Sequence, residues 1–213
     1  MQSQMEISMQ QFYKRISSAL LIGILSFQSW SVLASEAESA RVIVETFQLA
    51  LIETMKQGKE LGYEGRFNKL AEPVKLSHDL TKIARIVVGR EWENLTAEQQ
   101  TQLVDVFSKL SISSYAHNFK DFDGESFVFD SEEQTARGGV IIHTTLIIPN
   151  DKNVKFDYML KKKGNSWKII NIIANGVSDL ALKRSEYTSI LKREGFDPLI
   201  TKINEKIDNY SKQ

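Results

Sequence analysis

The central third of the chain alternates apolar and polar residues in short runs, a pattern typical of antiparallel strands. Three runs rich in Val, Ile, Thr, Phe and Tyr lie at Gly139–Ile148, Asn153–Lys161 and Trp167–Ala174. Short polar segments that contain Pro149 and Gly164 separate them. Because β-branched and aromatic runs bounded by Pro, Gly, Asn and Asp are characteristic of hairpins, the segment predicts an antiparallel meander.

These runs carry apolar residues on both faces. In the first run, Val140 and Ile142 fall on one face, whereas Ile141 falls on the other. A strand with one solvated face would alternate strictly. An antiparallel sheet that is apolar on both sides needs cover on both sides. We therefore expect helices against one face, and further protein, a partner or an apolar ligand against the other.

Helical periodicity precedes the meander. The pattern predicts helices at Glu36–Lys56, Arg66–Ala71, Asp79–Val88, and from a capping box at Thr96 to about Asn118. Pro73 is expected to close the second helix and Gly89 the third. A first strand is predicted around Phe127 and Phe129, followed by a turn at Ser131–Gln134.

Two further helices follow the meander. One is predicted at Val177–Lys192 with its end at Gly195, and another begins at Asp197–Pro198 with Asp197 as N-cap. Helices segregated from an antiparallel sheet indicate an α+β fold. We expect a curved sheet of about four strands with helices in its concave side, a cone that suits an apolar pocket.

The first 34 residues have the composition of a leader. Lys14 and Arg15 precede the apolar run Ala19–Phe27, and Val32–Leu33–Ala34 ends the segment. A basic region, an apolar region and an Ala-ended site in this order predict a signal peptide cleaved after residue 34. An N-terminal membrane anchor or a buried helix is the alternative, although the run is short for a bilayer span. Residues 35–213 are then expected to form one domain.

Charge and cysteine content narrow the class of protein. The chain has 27 basic and 27 acidic residues and no cysteine. A neutral balance argues against a nucleic-acid binder, which would carry a basic face. Export without any possible disulfide favours a bacterial periplasm over a eukaryotic extracellular space.

The sequence contains no strong catalytic or metal motif. His78, His117 and His143 are scattered without metal-ligand spacing, and no nucleophile elbow or phosphate-binding loop is present. One enzymatic alternative is a cavity in which His143, Asp157 and Tyr158 abstract a proton beside a carbonyl. Strand alternation places the side chains of Asp157 and Tyr158 on opposite faces of the sheet, so they cannot both face the same cavity. No cofactor is predicted.

The ordered short motifs of the chain resemble the MlaC/toluene-tolerance family. In the second half they are Gly176–Leu180, Arg184–Tyr187, Gly195–Asp197 and Trp167–Ile169. The helical half matches at Gly89–Trp92, Thr96, Gln99–Gln100, Phe107 and Tyr115. The resemblance covers essentially the whole chain after residue 34, and the run from Gly176 to Tyr187 is closer to the hopanoid-associated HpnM branch.

The resemblance implies a periplasmic carrier and no catalysis. It implies a nuclear-transport-factor-2-like fold with a deep pocket for phospholipid, hopanoid-type or other two-chain lipid. It also implies two partners, an inner-membrane ABC transporter with an MCE-domain subunit and an outer-membrane lipoprotein complex. Nucleic acid is not an expected partner.

We expect the pocket between the meander and the helices that carry Phe47, Phe107 and Tyr187. Apolar side chains of the meander would complete its wall. The predicted lipid-binding residues are Phe47, Phe107, Val140, Ile142, Leu146, Phe156, Tyr158, Ile169 and Tyr187. The alternative interpretation of the same residues is that they only pack helices on the sheet.

Overall fold

The computed structural model describes residues 28–212, with side-chain environments from Ala40 onward. Residues Ser39–Gln213 form one compact unit. Most of the predicted signal peptide, residues 1–34, lies outside the described residues, so its cleavage stays a prediction. Within the described part, no helix is both long and apolar enough to cross a membrane.

Helices come first along the chain. They are α1 (Gln28–Met55), α2 (Gly58–Ser77), α3 (Leu80–Val88), a 3₁₀ helix (Gly89–Asn94) and α4 (Ala97–Asn118). The Thr96–Gln99 capping box opens α4 as predicted, since both of its reciprocal hydrogen bonds are present. Asp79 caps α3 by accepting from the Lys82 amide, and Gly89 ends that helix.

The helix that contains Pro73 is longer than predicted. Proline was expected to close it, but α2 continues through Pro73 to Ser77. An interior proline costs about 3 kcal/mol because it removes a hydrogen bond and crowds the preceding turn. The turn beyond it buries Val74 and Ser77, and this burial offsets the cost. The helix is instead kinked at Gly62, where φ is 60°.

The second half forms an antiparallel sheet of five strands in sequential order. They are β1 (Ser126–Thr135), β2 (Gly139–Ile147), β3 (Val154–Lys163), β4 (Ser166–Ala174) and β5 (Val177–Ser178). The predicted turn at Ser131–Gln134 is wrong, because β1 continues through it with a bulge between Phe129 and Ser131. β1 is an edge strand that pairs only with β2. Its second half is exposed to water on both faces, so its sequence does not alternate between apolar and polar residues.

Two helices close the chain, α5 (Asp179–Glu194) and α6 (Phe196–Ser211). α5 ends at Gly195 as predicted. Gly195, and not Asp197, is the N-cap of α6, so the predicted cap position is wrong. The early start allows Phe196 to be buried within the first turn. The α+β class is confirmed, with five strands where about four were expected.

The apolar interior consists of two clusters. We call the first the sheet-side core: it packs α1, α2 and the end of α4 on the sheet and includes Phe47, Leu70, Ile142, Tyr158 and Ile169. We call the second the helix-side core: it joins α3, the first half of α4, α5 and α6 and includes Ile83, Phe107, Tyr187 and Leu199. Helices α3 and α4 contribute to both clusters, α3 through Leu80 on the sheet side, so these two helices connect the cores.

The two faces of the sheet differ in burial. Residues at Val140, Ile142 and Leu146 of β2 face the helices and are buried. Their neighbours on the outer face, Ile141 and Ile147, are only half-buried. Cover of the outer face is therefore less complete than the sequence pattern led us to expect.

Candidate functional site

A cavity of about 430 Å³ lies where the two cores meet. The sheet-side core contributes Leu51, Tyr158 and Ile169 to its wall, and the helix-side core contributes Ile83 and Phe107. The remaining wall comes from the second half of α4, from β3 and β4, from the start of α5, and from Tyr210 of α6. The cavity is thus a gap between two packed layers that share α4.

The wall is mainly apolar and aromatic, with a minority of polar side chains. The apolar surface is extended by Tyr115 of α4, by Phe119 directly after that helix, by Phe156 of β3 and by Ile172 of β4. The polar members of the wall are His78, Ser111, Ser114, Asn118, Asn171, Asp179 and Lys183. An apolar cavity with few polar groups is the usual form of a small-molecule site.

Aromatic residues on the sheet side hold one another in place. His78 Nε2 lies 3.0 Å from the Tyr115 hydroxyl, and Phe47 packs edge-on against both rings, with centroids 4.9 and 5.0 Å away. His78 Nδ1 lies 3.2 Å from the Val74 carbonyl. Ser77 Oγ lies closer to Nδ1, at 2.8 Å. These contacts suit a neutral imidazole whose Nδ1–H donates to Ser77 Oγ and the Val74 carbonyl and whose Nε2 accepts from Tyr115.

Burial keeps these groups neutral at ordinary pH. Desolvation lowers the pKa of His78 to about 4. Desolvation also raises the pKa of the Tyr115 and Tyr158 hydroxyls well above their usual value. This part of the wall therefore presents no charge to a bound molecule, as an apolar ligand requires.

Four of the nine predicted lipid-binding residues line the cavity: Phe107, Phe156, Tyr158 and Ile169. They come from different elements, yet they share the cavity wall. On β3 and β4, Tyr158 pairs with Ile172 and Leu160 with Ile169, and β4 has one extra residue between these pairs. That irregularity places Ile169, Ile170, Asn171 and Ile172 all along the cavity.

The other five predicted residues are buried and do not line the cavity. Phe47, Val140 and Ile142 belong to the sheet-side core, Tyr187 to the helix-side core, and Leu146 is buried near the end of β2. Val140 and Ile142 lie on the same face of the sheet as the cavity residues of β3. They do not line the cavity, because β2 is separated by β3 from β4, where much of the wall lies. A role in lipid binding for any of the nine stays a prediction.

The three residues of the enzymatic alternative are not brought together. His143 and Asp157 face each other across β2 and β3, with Nδ1 and Oδ1 2.7 Å apart. Neither lines the cavity, whereas Tyr158 does. Strand alternation places the pair on the outer face, so this constellation cannot act on a molecule in the cavity. Among the described residues, no cluster of three or more His, Asp or Glu is arranged for a metal ion.

Lys183 is a wall residue that sequence reasoning missed. It lies on the buried face of α5, where Leu180, Lys183 and Tyr187 follow helical spacing. A lysine at an inward position of an amphipathic helix is the signal that could have identified it. Burial lowers the pKa of Lys183 to about 8, and its ammonium pairs with Asp179 one turn earlier.

A second depression, of about 590 Å³, lies between α4 and α6. Its wall includes Glu98, Gln102, Asp105 and Lys109, and most of its residues are exposed or half-exposed. It is a polar surface groove and not an enclosed apolar space. The smaller cavity between the two cores is therefore the better candidate site.

Comparison with known proteins gives one consistent result. The family model of the MlaC protein matches residues 45–205. The intermembrane phospholipid transport system binding protein MlaC of Haemophilus influenzae is 27% identical over 123 residues, which cover 56% of this chain and 58% of that protein. The match thus spans less than two thirds of the relative's length.

A solved structure shares the fold. It is a phospholipid-binding protein from Ralstonia solanacearum in complex with a phospholipid, with a TM-score of 0.71 and 20% identity. The similarity covers 83% of this chain and 98% of that one. The narrower resemblance to the hopanoid-associated branch stays a prediction. Because the family model matches most of its length, the chain belongs to the MlaC family.

Proposed function

We propose that the protein is a periplasmic lipid-binding carrier whose cavity between the two cores holds acyl chains of a phospholipid. The observation that carries the proposal is the cavity itself, a mainly apolar space between the two cores. Family membership supports it, as do the names of the two relatives, which are a phospholipid transport binding protein and a phospholipid-binding protein.

The size of the cavity suits an acyl chain. At about 30 Å³ for a group the size of a water molecule, 430 Å³ holds roughly 14 methylene-sized groups. Burying that many methylenes is worth roughly 11 kcal/mol at about 0.8 kcal/mol each. A second acyl chain could enter only if the helices moved away from the sheet. Otherwise it would lie along the opening of the cavity.

This energy explains why a carrier is needed. A lipid that leaves a bilayer unaided exposes all of its methylenes to water, so desorption is slow. A protein cavity that offers comparable apolar contact removes most of that penalty during passage between membranes. The carrier function therefore requires no catalytic group, and the isolation of His143 and Asp157 on the outer face agrees with it.

The partners and location complete the proposal. The carrier collects or delivers lipid at an inner-membrane ABC transporter with an MCE-domain subunit and at an outer-membrane lipoprotein complex. It reaches the periplasm through the signal peptide at residues 1–34. The intact mass of the periplasmic protein measures cleavage after Ala34, and retention of residues 1–34 would contradict it.

Two neighbouring isoleucines on β4 provide a matched test. Ile172 pairs with Tyr158 and lines the cavity, whereas Ile173 pairs with Asp157 on the outer face. Ile172→Trp is expected to fill the cavity and abolish co-purifying lipid, whereas Ile173→Trp leaves it unchanged. Mass spectrometry of lipid extracted from the folded proteins measures both, and also separates phospholipid from hopanoid-type ligands.

The same experiment can overturn the proposal. Circular dichroism first establishes that both variants are folded. Wild-type amounts of lipid in folded Ile172→Trp would remove the cavity as the binding site. Wild-type protein that carries no lipid after isolation, and takes none from vesicles, would remove the carrier function altogether.

A further inference from the structure

The cavity has one pair of charged side chains in its wall. Lys183 and Asp179 are the only Lys, Arg, Asp or Glu side chains among the described wall residues. Both lie on the first two turns of α5, and their side chains form an ion pair. Asn171 is also part of the wall, and its side-chain oxygen accepts from Ser178, the N-cap of α5.

The two charges sit at different depths. The Lys183 side chain is only 7% exposed, whereas that of Asp179 is 68% exposed. Passing from the protein interior to solvent, the wall therefore presents a cation first and an anion second. A buried ammonium is costly unless it is paired, and here its direct carboxylate partner is mostly in water. The position of Lys183 thus favours an additional anion inside the cavity opening.

We propose that this ion pair recognises the head group of the bound lipid, with Lys183 contacting the phosphate and Asp179 contacting a primary amine. The preferred ligand is then an amine-bearing zwitterionic phospholipid of the ethanolamine class. The inference rests on the proposed carrier function and specifies its substrate.

The order of charges in such a lipid matches the order in the wall. The phosphate is attached next to the acylated glycerol, so it lies nearest the buried chains, and the amine lies further out. With chains in the cavity, the phosphate meets the buried ammonium and the amine meets the exposed carboxylate. Ammonium groups bind phosphate through charge-assisted hydrogen bonds, and a primary amine donates likewise to a carboxylate.

Other head groups complement this pair less completely. A glycerol head group offers the phosphate but no cation for Asp179. A choline head group carries a cation without N–H donors, so it cannot donate a hydrogen bond to the carboxylate. The phosphate contact is common to all three classes, and only the outer contact separates them.

Lipid exchange with mixed vesicles tests the proposal. The protein is incubated with vesicles of equal parts phosphatidylethanolamine and phosphatidylglycerol, isolated again, and its bound lipid is quantified by mass spectrometry. Wild type is expected to be enriched in the ethanolamine lipid roughly two- to fivefold, the range of an exposed ion pair. Asp179→Asn is expected to return the bound ratio to that of the vesicle.

The buried partner has its own variant. Lys183→Met keeps the apolar stem but removes the charge, so it is expected to lower uptake of both phospholipids while uptake of uncharged diacylglycerol continues. Control variants on α5 are Glu194→Gln and Lys192→Met, which are exposed and outside the cavity wall. Both are expected to behave as wild type.

Each outcome is decisive for one of the two proposals. A wild-type protein that takes up both lipids in the vesicle ratio, or an Asp179→Asn variant that keeps the enrichment, overturns the head-group assignment and leaves the carrier function standing. Absence of any bound lipid in wild type overturns the carrier function. If Lys183→Met does not fold, Asp179→Asn alone decides, because Asp179 is exposed and its substitution preserves shape. Soluble phosphoethanolamine provides a last test. If it binds at Lys183 and Asp179 while the protein takes up the same amount of lipid, the pair is a site for a free phosphate compound, and its assignment to the lipid head group is overturned.

Discussion

The two cores stabilise the protein in different ways. The sheet-side core contains buried polar groups that find partners: Gln48 donates to Thr144 Oγ1 at 2.9 Å, and His78 bonds Tyr115. The helix-side core is almost entirely aliphatic and aromatic, and the buried Tyr187 hydroxyl there has no hydrogen-bond partner among the described residues. The sheet-side core thus combines apolar packing with buried hydrogen bonds between side chains. The helix-side core depends mainly on apolar packing, although Thr188 Oγ1 of α5 donates to the Val87 carbonyl of α3 at 2.9 Å.

This difference bears on where the cavity forms. The His78–Tyr115 hydrogen bond ties the end of α2 to α4, and the Gln48–Thr144 hydrogen bond ties α1 to β2, so these elements are held at defined separations. The helix-side residues are free to pack closely and do so around Phe107 and Leu199. The cavity lies between these two arrangements, bordered by residues of both cores.

The largest effects are expected from truncating one fully buried residue in each core. Ile142→Ala and Leu199→Ala should each lower the free energy of unfolding by roughly 2–5 kcal/mol, because each leaves a void in packed surroundings. Urea unfolding followed by circular dichroism measures this. Val128→Ala on the exposed sheet face is the control, expected within about 0.5 kcal/mol. A loss below about 1 kcal/mol in either core would show that core to be loosely packed.

A pH-dependent loss of stability is expected from the sheet-side core. The pKa of His78 in the folded protein is about 4, below its ordinary value of 6.5, so the unfolded chain binds the proton more readily. The contribution of neutral His78 to the free energy of unfolding is complete above pH 6.5. As the pH falls towards 4, the free energy of unfolding decreases by roughly 3 kcal/mol. His78→Gln cannot titrate, so the difference between wild type and variant should shrink over this window. If the free energies of unfolding of wild type and His78→Gln change in parallel with pH, His78 is not the group responsible for the loss.

Removing the hydroxyl group from each of two buried tyrosines is expected to change the free energy of unfolding in opposite directions. Tyr158 bonds Gln48, so Tyr158→Phe should cost about 1 kcal/mol. Tyr187 has no such partner among the described residues, so Tyr187→Phe should raise the free energy of unfolding by up to about 1 kcal/mol. Thermal or urea unfolding of both variants measures the contrast. Equal losses in the two would mean that the cores do not differ in polar satisfaction.

The smallest effect is expected on the outer face of the sheet. His143 and Asp157 are partly exposed, with side chains 30% and 39% accessible. An exposed pair of this kind contributes about 0–1 kcal/mol, so Asp157→Asn should change stability by no more than that. Lipid binding should be unaffected. A large loss of bound lipid in folded Asp157→Asn would restore the pair to the functional site.

Local signals in the sequence predicted most secondary structure. The capping box at Thr96, the Gly89 and Gly195 helix ends and the three strands of the meander are all present. Each depends on residues close together in the chain, such as a hydroxyl and the amide three positions later. The errors at Pro73 and Ser131–Gln134 arose where burial or edge position outweighed local preference.

The sequence by itself determined the α+β class, the position of most elements and the alternation of faces along β2 and β3, but not along β4, where an extra residue breaks the alternation. Those properties follow from periodicity, which encodes which side chains avoid water. Only the tertiary structure decided that Phe156 and Ile169 border a cavity whereas Ile142 and Phe47 fill a core. That distinction depends on the spacing between elements far apart in the chain, because an apolar side chain is equally well hidden from water by a neighbour or by an enclosed space.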